Sequence, residues 1–156
     1  MCHPNVVYYA RAELPSIMPN LETLLISSDP EVPQQDLKHE SVFEGSSNLR
    51  QLPEHRHDCL KIVEITGFSY AKSLIELTCY IVKNAVSLEC LTLDTVRCGL
   101  RCPGEANETC WPIISNAELK EASRTVMAIR MYIENKVVPK AKLTVLEPCI
   151  RCRSNE

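Results

Sequence analysis

Leu60-Lys-Ile-Val-Glu-Ile65 has two close copies elsewhere in the chain, Leu21-Glu-Thr-Leu-Leu-Ile26 and Leu88-Glu-Cys-Leu-Thr-Leu93. Each copy follows the pattern L-x-x-L-x-L, with large aliphatic residues at the first, fourth and sixth positions. Side chains of a β-strand alternate between two faces, so the fourth and sixth residues face one side while the third and fifth face the other. The pattern therefore predicts three strands, each with a core side and a free side.

The spacing of the copies indicates how the strands are connected. Strands with this pattern are typical of leucine-rich repeats, which recur every ~20–29 residues. Leu60 and Leu88 are 28 residues apart, which suits one strand, one helix and a return, whereas Leu21 and Leu60 are 39 residues apart. The longer interval needs an insertion, and turn-rich residues 28–53 supply it, so we predict a long solvated loop there.

Two helices are predicted from apolar residues that recur every three or four positions. The first follows the turn Gly67-Phe-Ser69, where Ser69 is a candidate N-cap, and its apolar face consists of Ala71, Leu74, Leu77, Ile81 and Ala85. The second begins at Ser115, where Ser115-Asn-Ala-Glu118 matches a capping box, and its apolar face consists of Leu119, Ala122, Val126, Ile129 and Ile133. Each helix is expected to lie against the sheet with this face.

The remaining elements complete the predicted architecture. Lys142-Leu-Thr-Val-Leu146 alternates as a last strand before Glu147-Pro148. We expect one α/β domain over residues 1–156, a short leucine-rich-repeat-like solenoid with parallel strands on one side and helices on the other. Long loops are expected at 28–53 and 96–114, and a flexible tail at 149–156.

Composition and charge exclude several classes of partner. The 156 residues are 45% hydrophobic and carry a net charge of −3, and the basic residues are scattered, which argues against nucleic acid. No apolar run reaches the ~18 residues of a membrane span, and the N-terminus has no basic start followed by a hydrophobic stretch. We therefore expect an intracellular protein, nuclear or cytoplasmic, that does not bind membranes.

The cysteines leave two interpretations open. Nine cysteines in a chain without an export signal are expected to be mostly reduced thiols, and Cys79 and Cys90 lie in apolar segments where cysteine acts as a small hydrophobe. The alternative is a zinc-stabilised interaction domain in which the later cysteine thiolates of the chain are the main ligands, namely Cys98, Cys102, Cys110, Cys149 and Cys152. His55, His57 and Cys59 are further possible ligands. The first interpretation, with no metal and no cofactor, is the expected one, because the cysteine pairs lack the regular separation of zinc knuckles.

Catalysis is not expected. No local signature of a cysteine hydrolase surrounds any cysteine. The four glycines form neither G-x-G-x-x-G nor G-x-x-x-x-G-K, so no phosphate-binding loop is present. The chain is therefore predicted to be a non-catalytic module that binds another protein.

The strand geometry predicts which residues face that partner. They alternate with the core residues of the three copies. The predicted partner-binding residues are Thr23, Leu25, Ile62, Glu64, Thr66, Cys90, Thr92 and Asp94, with Ser27 at the end of the first strand.

The middle and the end of the chain carry a family resemblance. Cys59-Leu-Lys-Ile-Val-Glu-Ile-Thr-Gly-Phe-Ser69, Ala71-Lys-Ser-Leu-Ile-Glu-Leu77 and Asn84-Ala-Val-Ser-Leu-Glu-Cys-Leu-Thr-Leu93 occur in order. Together with Ala128-Ile-Arg-Met-Tyr-Ile133 and Lys142-Leu-Thr-Val-Leu-Glu-Pro-Cys149, this series resembles the FBD-type C-terminal region of plant F-box/leucine-rich-repeat proteins, in particular the grass members.

That resemblance implies a role in substrate recognition. In such proteins an F-box docks on a Skp-type adaptor of a cullin ubiquitin ligase, and the repeats hold the protein to be ubiquitinated. No F-box is expected within this chain, because Pro19 and the Leu21 strand follow Leu14-Pro15 where an F-box would continue as helix. Binding to the adaptor is therefore expected only if an F-box exists upstream.

Overall fold

The computed structural model describes residues 18–28, 40–44, 48–96 and 114–149. Within these ranges the chain forms four strands, two α-helices and one short 3-10 helix. In chain order they are β1 (Thr23–Ser27), β2 (Ile62–Thr66), α1 (Lys72–Asn84), β3 (Cys90–Asp94), α2 (Asn116–Tyr132), the 3-10 helix (Glu134–Lys136) and β4 (Lys142–Leu146). All four predicted strands and both predicted helices are confirmed.

The four strands form one parallel sheet in the order β1-β2-β3-β4. The fourth and sixth residues of the three copies align across the sheet and continue onto β4. The two inward rows are Leu24, Val63, Leu91 and Leu143, and Ile26, Ile65, Leu93 and Val145. A slip of one residue would turn a whole inward set outward, so these rows fix the register of the sheet.

The core lies on the inward face of the sheet. The side chains of Val63, Ile65, Leu91 and Leu93 are fully buried and belong to one cluster with residues of both helices. The helices therefore cover that face, and the fold is mixed α/β with parallel strands. Parallel strands are joined by crossover connections, which usually contain a helix, and here α1 lies between β2 and β3 and α2 between β3 and β4.

Helix α1 is more deeply buried than an amphipathic helix with one apolar face. Only Lys83 is exposed between Lys72 and Asn84, and even Glu76 and Thr78 are buried. The helix packs between the sheet, α2 and the segment that precedes β2. The sequence of the helix predicts only one apolar face, because burial by a distant segment of the chain produces no periodic pattern in the sequence.

The predicted N-cap of α1 is wrong. The cap position is Ala71, which makes no side-chain capping hydrogen bond, while the Ser69 hydroxyl accepts a hydrogen bond from the Ala71 amide at 3.4 Å. The Lys72 amide instead donates to the carbonyl of Glu40 at 2.8 Å. A residue 32 positions earlier therefore satisfies an amide that has no partner within the helix.

The described part of the 28–53 segment is not solvated throughout. It contains no helix or strand, but Ser41 and Val42 are buried, and Leu49 and Leu52 pack against the core. This cover makes the long connection between β1 and β2 part of the packed structure. Residues 29–39 and 45–47 of the predicted loop lie outside the described residues.

The capping box of α2 is confirmed. The Glu118 amide donates to the Ser115 hydroxyl at 3.3 Å, and the Ser115 amide donates to the Glu118 carboxylate at 2.9 Å. Ala122, Val126, Ile129 and Ile133 are buried as predicted. Leu119 is half-buried and packs against a smaller cluster that contains Val96 and Ile114.

Two further predicted segments fall mostly outside the described residues. The predicted 96–114 loop is described only at its ends, Val96 and Ile114, and the predicted 149–156 tail is described only at Cys149.

Candidate functional site

The face of the sheet opposite the core carries three rows of aligned side chains, which we call the open face. The rows are Thr23, Ile62, Cys90 and Lys142; Leu25, Glu64, Thr92 and Thr144; and Ser27, Thr66, Asp94 and Leu146. Neighbouring strands lie ~4.8 Å apart, so each row spans roughly 14 Å. Every residue predicted to face a partner lies in these rows.

Strand β4 supplies the fourth residue of each row of the open face, and this fourth column is not predicted from the sequence. Lys142, Thr144 and Leu146 belong to β4, which was predicted as a strand but not as part of the face. Its sequence, Lys140-Ala-Lys-Leu-Thr-Val145, has aliphatic residues at the fourth and sixth positions of the repeat but lysine at the first. Alignment on the fourth and sixth positions alone would have found it.

Two large aliphatic side chains on the open face are exposed to solvent. Leu25 is 68% exposed, the highest value among the large hydrophobic residues that the structure describes, and Ile62 is 44% exposed. Leu25 lies opposite Glu64 on the neighbouring strand, and Ile62 precedes Glu64 by two residues on the same face. The two side chains are therefore diagonal neighbours on adjacent strands.

The open face carries two charges without an ion pair to any described residue, Glu64 and Lys142. Glu64 is half-buried in the middle row, and Lys142 is exposed at the far end of the first row. The charges are two strands apart and in neighbouring rows, so they are separated by roughly 12 Å. Each is thus available to a charged group from outside.

Asp94 differs from the prediction that it faces a partner. It is buried, with 5% exposed, and its Oδ1 accepts a hydrogen bond from the Val96 amide at 3.0 Å. The Asp94 carbonyl also accepts from the Phe68 amide at 2.7 Å. The chain that leaves β3 folds back on this carboxylate, so Asp94 holds the turn and does not present a free charge.

Cys90 is half-buried in the first row of the open face, between the exposed Ile62 and Lys142. Its Sγ lies 3.9 Å from the Thr92 hydroxyl. Cys79 lies instead between α1 and the end of α2, where its Sγ donates to the Tyr132 carbonyl at 3.4 Å and lies 3.4 Å from Lys136 Nζ. Burial raises the pKa of the Cys79 thiol above its ordinary value. Cys79 therefore behaves as the small core residue that its apolar segment predicts.

A row of alternating charges precedes the open face at the amino ends of the strands. Lys61 and Glu22 form an ion pair at 3.1 Å, and Glu89 follows on the next strand. The hydrogen bond from Lys61 to Glu22 raises the pKa of the lysine, and the charge of Glu89 adds to the effect. Opposite charges on neighbouring strands favour the observed register, although such exposed pairs add little stability.

The histidines near β2 lie against the end of α1. The rings of His55 and His57 are 5.8 Å apart, and His57 contacts the edge of Tyr80 at 6.1 Å between centroids. Burial lowers the pKa of His57, and the charge of His55 lowers it further. His57 is also held by its backbone, since its amide donates to the Asn84 carbonyl at 3.0 Å.

The zinc alternative finds no ligand cluster in the part of the chain that is described. No group of three or more His, Cys, Asp or Glu side chains there could hold a metal ion. Cys149 lies half-buried against the cluster of Val96 and Ile114. Cys98, Cys102, Cys110 and Cys152 lie outside the described residues.

None of the described helices combines the length and the apolar character that a bilayer span requires.

Comparison with known proteins identifies the family. The model of the At1g61320/AtMIF1 LRR domain matches residues 1–35 and 31–150. No curated protein and no solved structure matches the chain. The family match confirms the leucine-rich-repeat nature that the three copies predict, and domains of this kind generally mediate protein–protein interactions. The chain therefore belongs to the At1g61320/AtMIF1 LRR domain family.

Proposed function

We propose that this chain is a non-catalytic protein-interaction module that holds another protein on the open face of its parallel sheet. The observation that carries this proposal is the alignment of twelve side chains in three rows, with Leu25 and Ile62 exposed in the first two. Neighbouring exposed apolar side chains that form a continuous patch mark sites of protein–protein interaction, and Leu25 and Ile62 are neighbours on adjacent strands. Membership of a leucine-rich-repeat family supports the same role.

The sheet is well suited to present these residues rigidly. Behind the open face, Val63, Ile65, Leu91 and Leu93 are fully buried and fix the register. A partner would therefore meet side chains whose backbone is already ordered. Binding to a preorganised surface loses less conformational entropy than binding to a loop.

The finer proposal follows from the resemblance of Cys59–Leu93 to FBD-type regions. We propose that the chain is a short solenoid that acts as the substrate-recognition part of an F-box/leucine-rich-repeat protein of a cullin-type ubiquitin ligase. Contact with a Skp-type adaptor then requires an F-box upstream of this region. The place of action is intracellular, nuclear or cytoplasmic, and neither nucleic acid nor membrane is the partner.

The experiment is affinity purification from plant-cell extract with the parent chain and two matched variants. Leu25→Arg places a charge on the open face, and Met131→Arg places the same charge on α2 at a residue that is 60% exposed. A protein retained by the parent and by Met131→Arg but lost with Leu25→Arg would support the proposal. Equal recovery with both variants would exclude the open face as the binding site.

A further inference from the structure

Glu64 is adjacent to two exposed aliphatic side chains on the open face. Leu25 is directly opposite on β1, and Ile62 is two residues earlier on β2. Their exposures are 68% and 44%, while Glu64 itself is half-buried. Thr92 flanks the carboxylate on the other side, in the same row on β3.

The buried carboxylates of this chain have partners that stabilise their charge, whereas Glu64 has none among the described residues. Glu76 is paired with Arg50, and Asp94 accepts a hydrogen bond from the Val96 amide. Within the described residues, Glu64 has no such partner, so water solvates its carboxylate in the free chain. Covering it with a purely apolar surface would remove that water without replacement, which is costly.

One side chain satisfies both the aliphatic residues and the carboxylate. The methylene stem of arginine packs along apolar surface while its guanidinium stays polar, so the stem can cover Leu25 and Ile62. The guanidinium presents paired N–H donors that match a carboxylate in two parallel hydrogen bonds. We propose that Leu25, Ile62 and Glu64 form a subsite that receives an arginine from an exposed segment of a partner protein.

The charge distribution limits the partner further. Lys142 lies roughly 12 Å from Glu64, two strands away and in the neighbouring row, and repels a second basic residue on that side of the open face. The subsite thus favours a segment with a single arginine and neutral or acidic neighbours over a uniformly basic segment. This inference rests on the proposed function, because it specifies the chemistry of the partner on the same face.

The test is selection of a phage-displayed random dodecapeptide library against the full chain, followed by affinity measurements on the selected peptides. We expect arginine to be enriched in peptides that lose binding to Thr92→Lys but keep binding to Met131→Arg. Glu64→Gln should weaken such a peptide about tenfold, as expected for loss of a charge-assisted pair. Replacing the peptide arginine by citrulline should weaken binding similarly, and the two changes together should cost little more than either alone.

Three outcomes would overturn the inference. Peptides that need the open face but bind equally well with citrulline would exclude the arginine subsite and leave the proposed function standing. Failure to select any peptide that Thr92→Lys weakens would contradict both proposals. A drop in the Tm of the Glu64→Gln chain, measured with no peptide added, together with no enrichment of arginine in the selected peptides, would mean that Glu64 pairs with a basic residue of the same chain.

Discussion

Glu76 accepts hydrogen bonds from both the backbone amide and the side chain of Arg50, at 2.8 Å to the amide nitrogen and 3.1 Å to Nε. The carboxylate is fully buried, whereas the Arg50 side chain is 64% exposed. One charge within α1 thus fixes the segment that covers this helix. Arg50→Ala leaves the carboxylate with the backbone amide alone, so we expect a loss of about 2 kcal/mol in unfolding free energy.

Urea denaturation of parent and variant measures this loss. Arg56→Ala is the control, because Arg56 and Asp58 form an ion pair in which both side chains are more than half exposed. Removing that pair should change stability by less than about 0.5 kcal/mol. Equal effects of the two variants would mean that the Arg50 pair does not hold the segment.

The first turns of the two helices predict losses of different size for the same serine-to-alanine substitution. Ser115 caps α2 through the Glu118 amide, whereas Ser69 does not cap α1. We expect Ser115→Ala to lower the free energy of unfolding by about 1 kcal/mol and Ser69→Ala to change it by only a few tenths. Thermal denaturation of both variants checks this, and a larger loss with Ser69→Ala would contradict the observed cap.

This contrast shows which parts of the fold are readable from the sequence. The capping box at Ser115 and the alternation in the three copies are local patterns, so both predict structure correctly. The entry of α1 is not local, because the Lys72 amide finds its partner at Glu40. The pairing of Arg50 with Glu76 likewise joins distant residues and leaves no periodic signal in the sequence.

The open face, too, is predictable from the sequence only where it depends on local patterns. Strand parity correctly places Leu25 and Glu64 on it, because the side chains of a strand alternate regularly. Parity alone does not reveal that the chain after β3 turns back over Asp94. It also does not reveal the fourth column at Lys142, whose copy of the repeat lacks the leading leucine.

The two faces of the sheet predict different tolerance to truncation. Leu91 is fully buried, while Leu25 is 68% exposed. We expect Leu91→Ala to cost about 3 kcal/mol, because it removes buried methyl groups and leaves a cavity. Leu25→Ala should change stability by no more than about 0.5 kcal/mol. Urea denaturation of both variants tests the assignment of the faces, and similar losses would contradict it.

Asp94 should act on stability, since its carboxylate holds the turn after β3. Asp94→Ala leaves the Val96 amide without this acceptor, and we expect a loss of about 1–3 kcal/mol. Glu64 lies on the same face, in the neighbouring row on β2, but it is half-buried and has no ion-pair partner among the described residues. We therefore expect Glu64→Ala to change the free energy of unfolding by less than about 0.5 kcal/mol. The midpoints of urea denaturation distinguish the two roles, and an unaffected Asp94→Ala chain would return this residue to the set of binding candidates.

His57 predicts the pH dependence of stability. Burial and the charge of His55 lower its folded-state pKa below the ordinary value of 6.5, so the unfolded chain binds more protons at this residue between those two values. Stability from the neutral ring is therefore fully present above about pH 6.5 and falls as the pH drops toward the folded-state pKa. Unfolding free energies measured by urea at about pH 7.5 and pH 5.5 should show this decrease in the parent chain.

The substitution His57→Gln isolates this contribution from the other titrating groups. Glutamine cannot be protonated, so we expect a smaller decrease in stability between the two pH values than in the parent, even if the variant is less stable at both. Glu54 titrates in a lower range, because its hydrogen bond to Lys83 lowers a carboxyl pKa whose ordinary value is 4.5, and it remains in both chains. An equal or larger decrease in His57→Gln would show that protonation of His57 does not oppose folding, which would contradict its burial against α1.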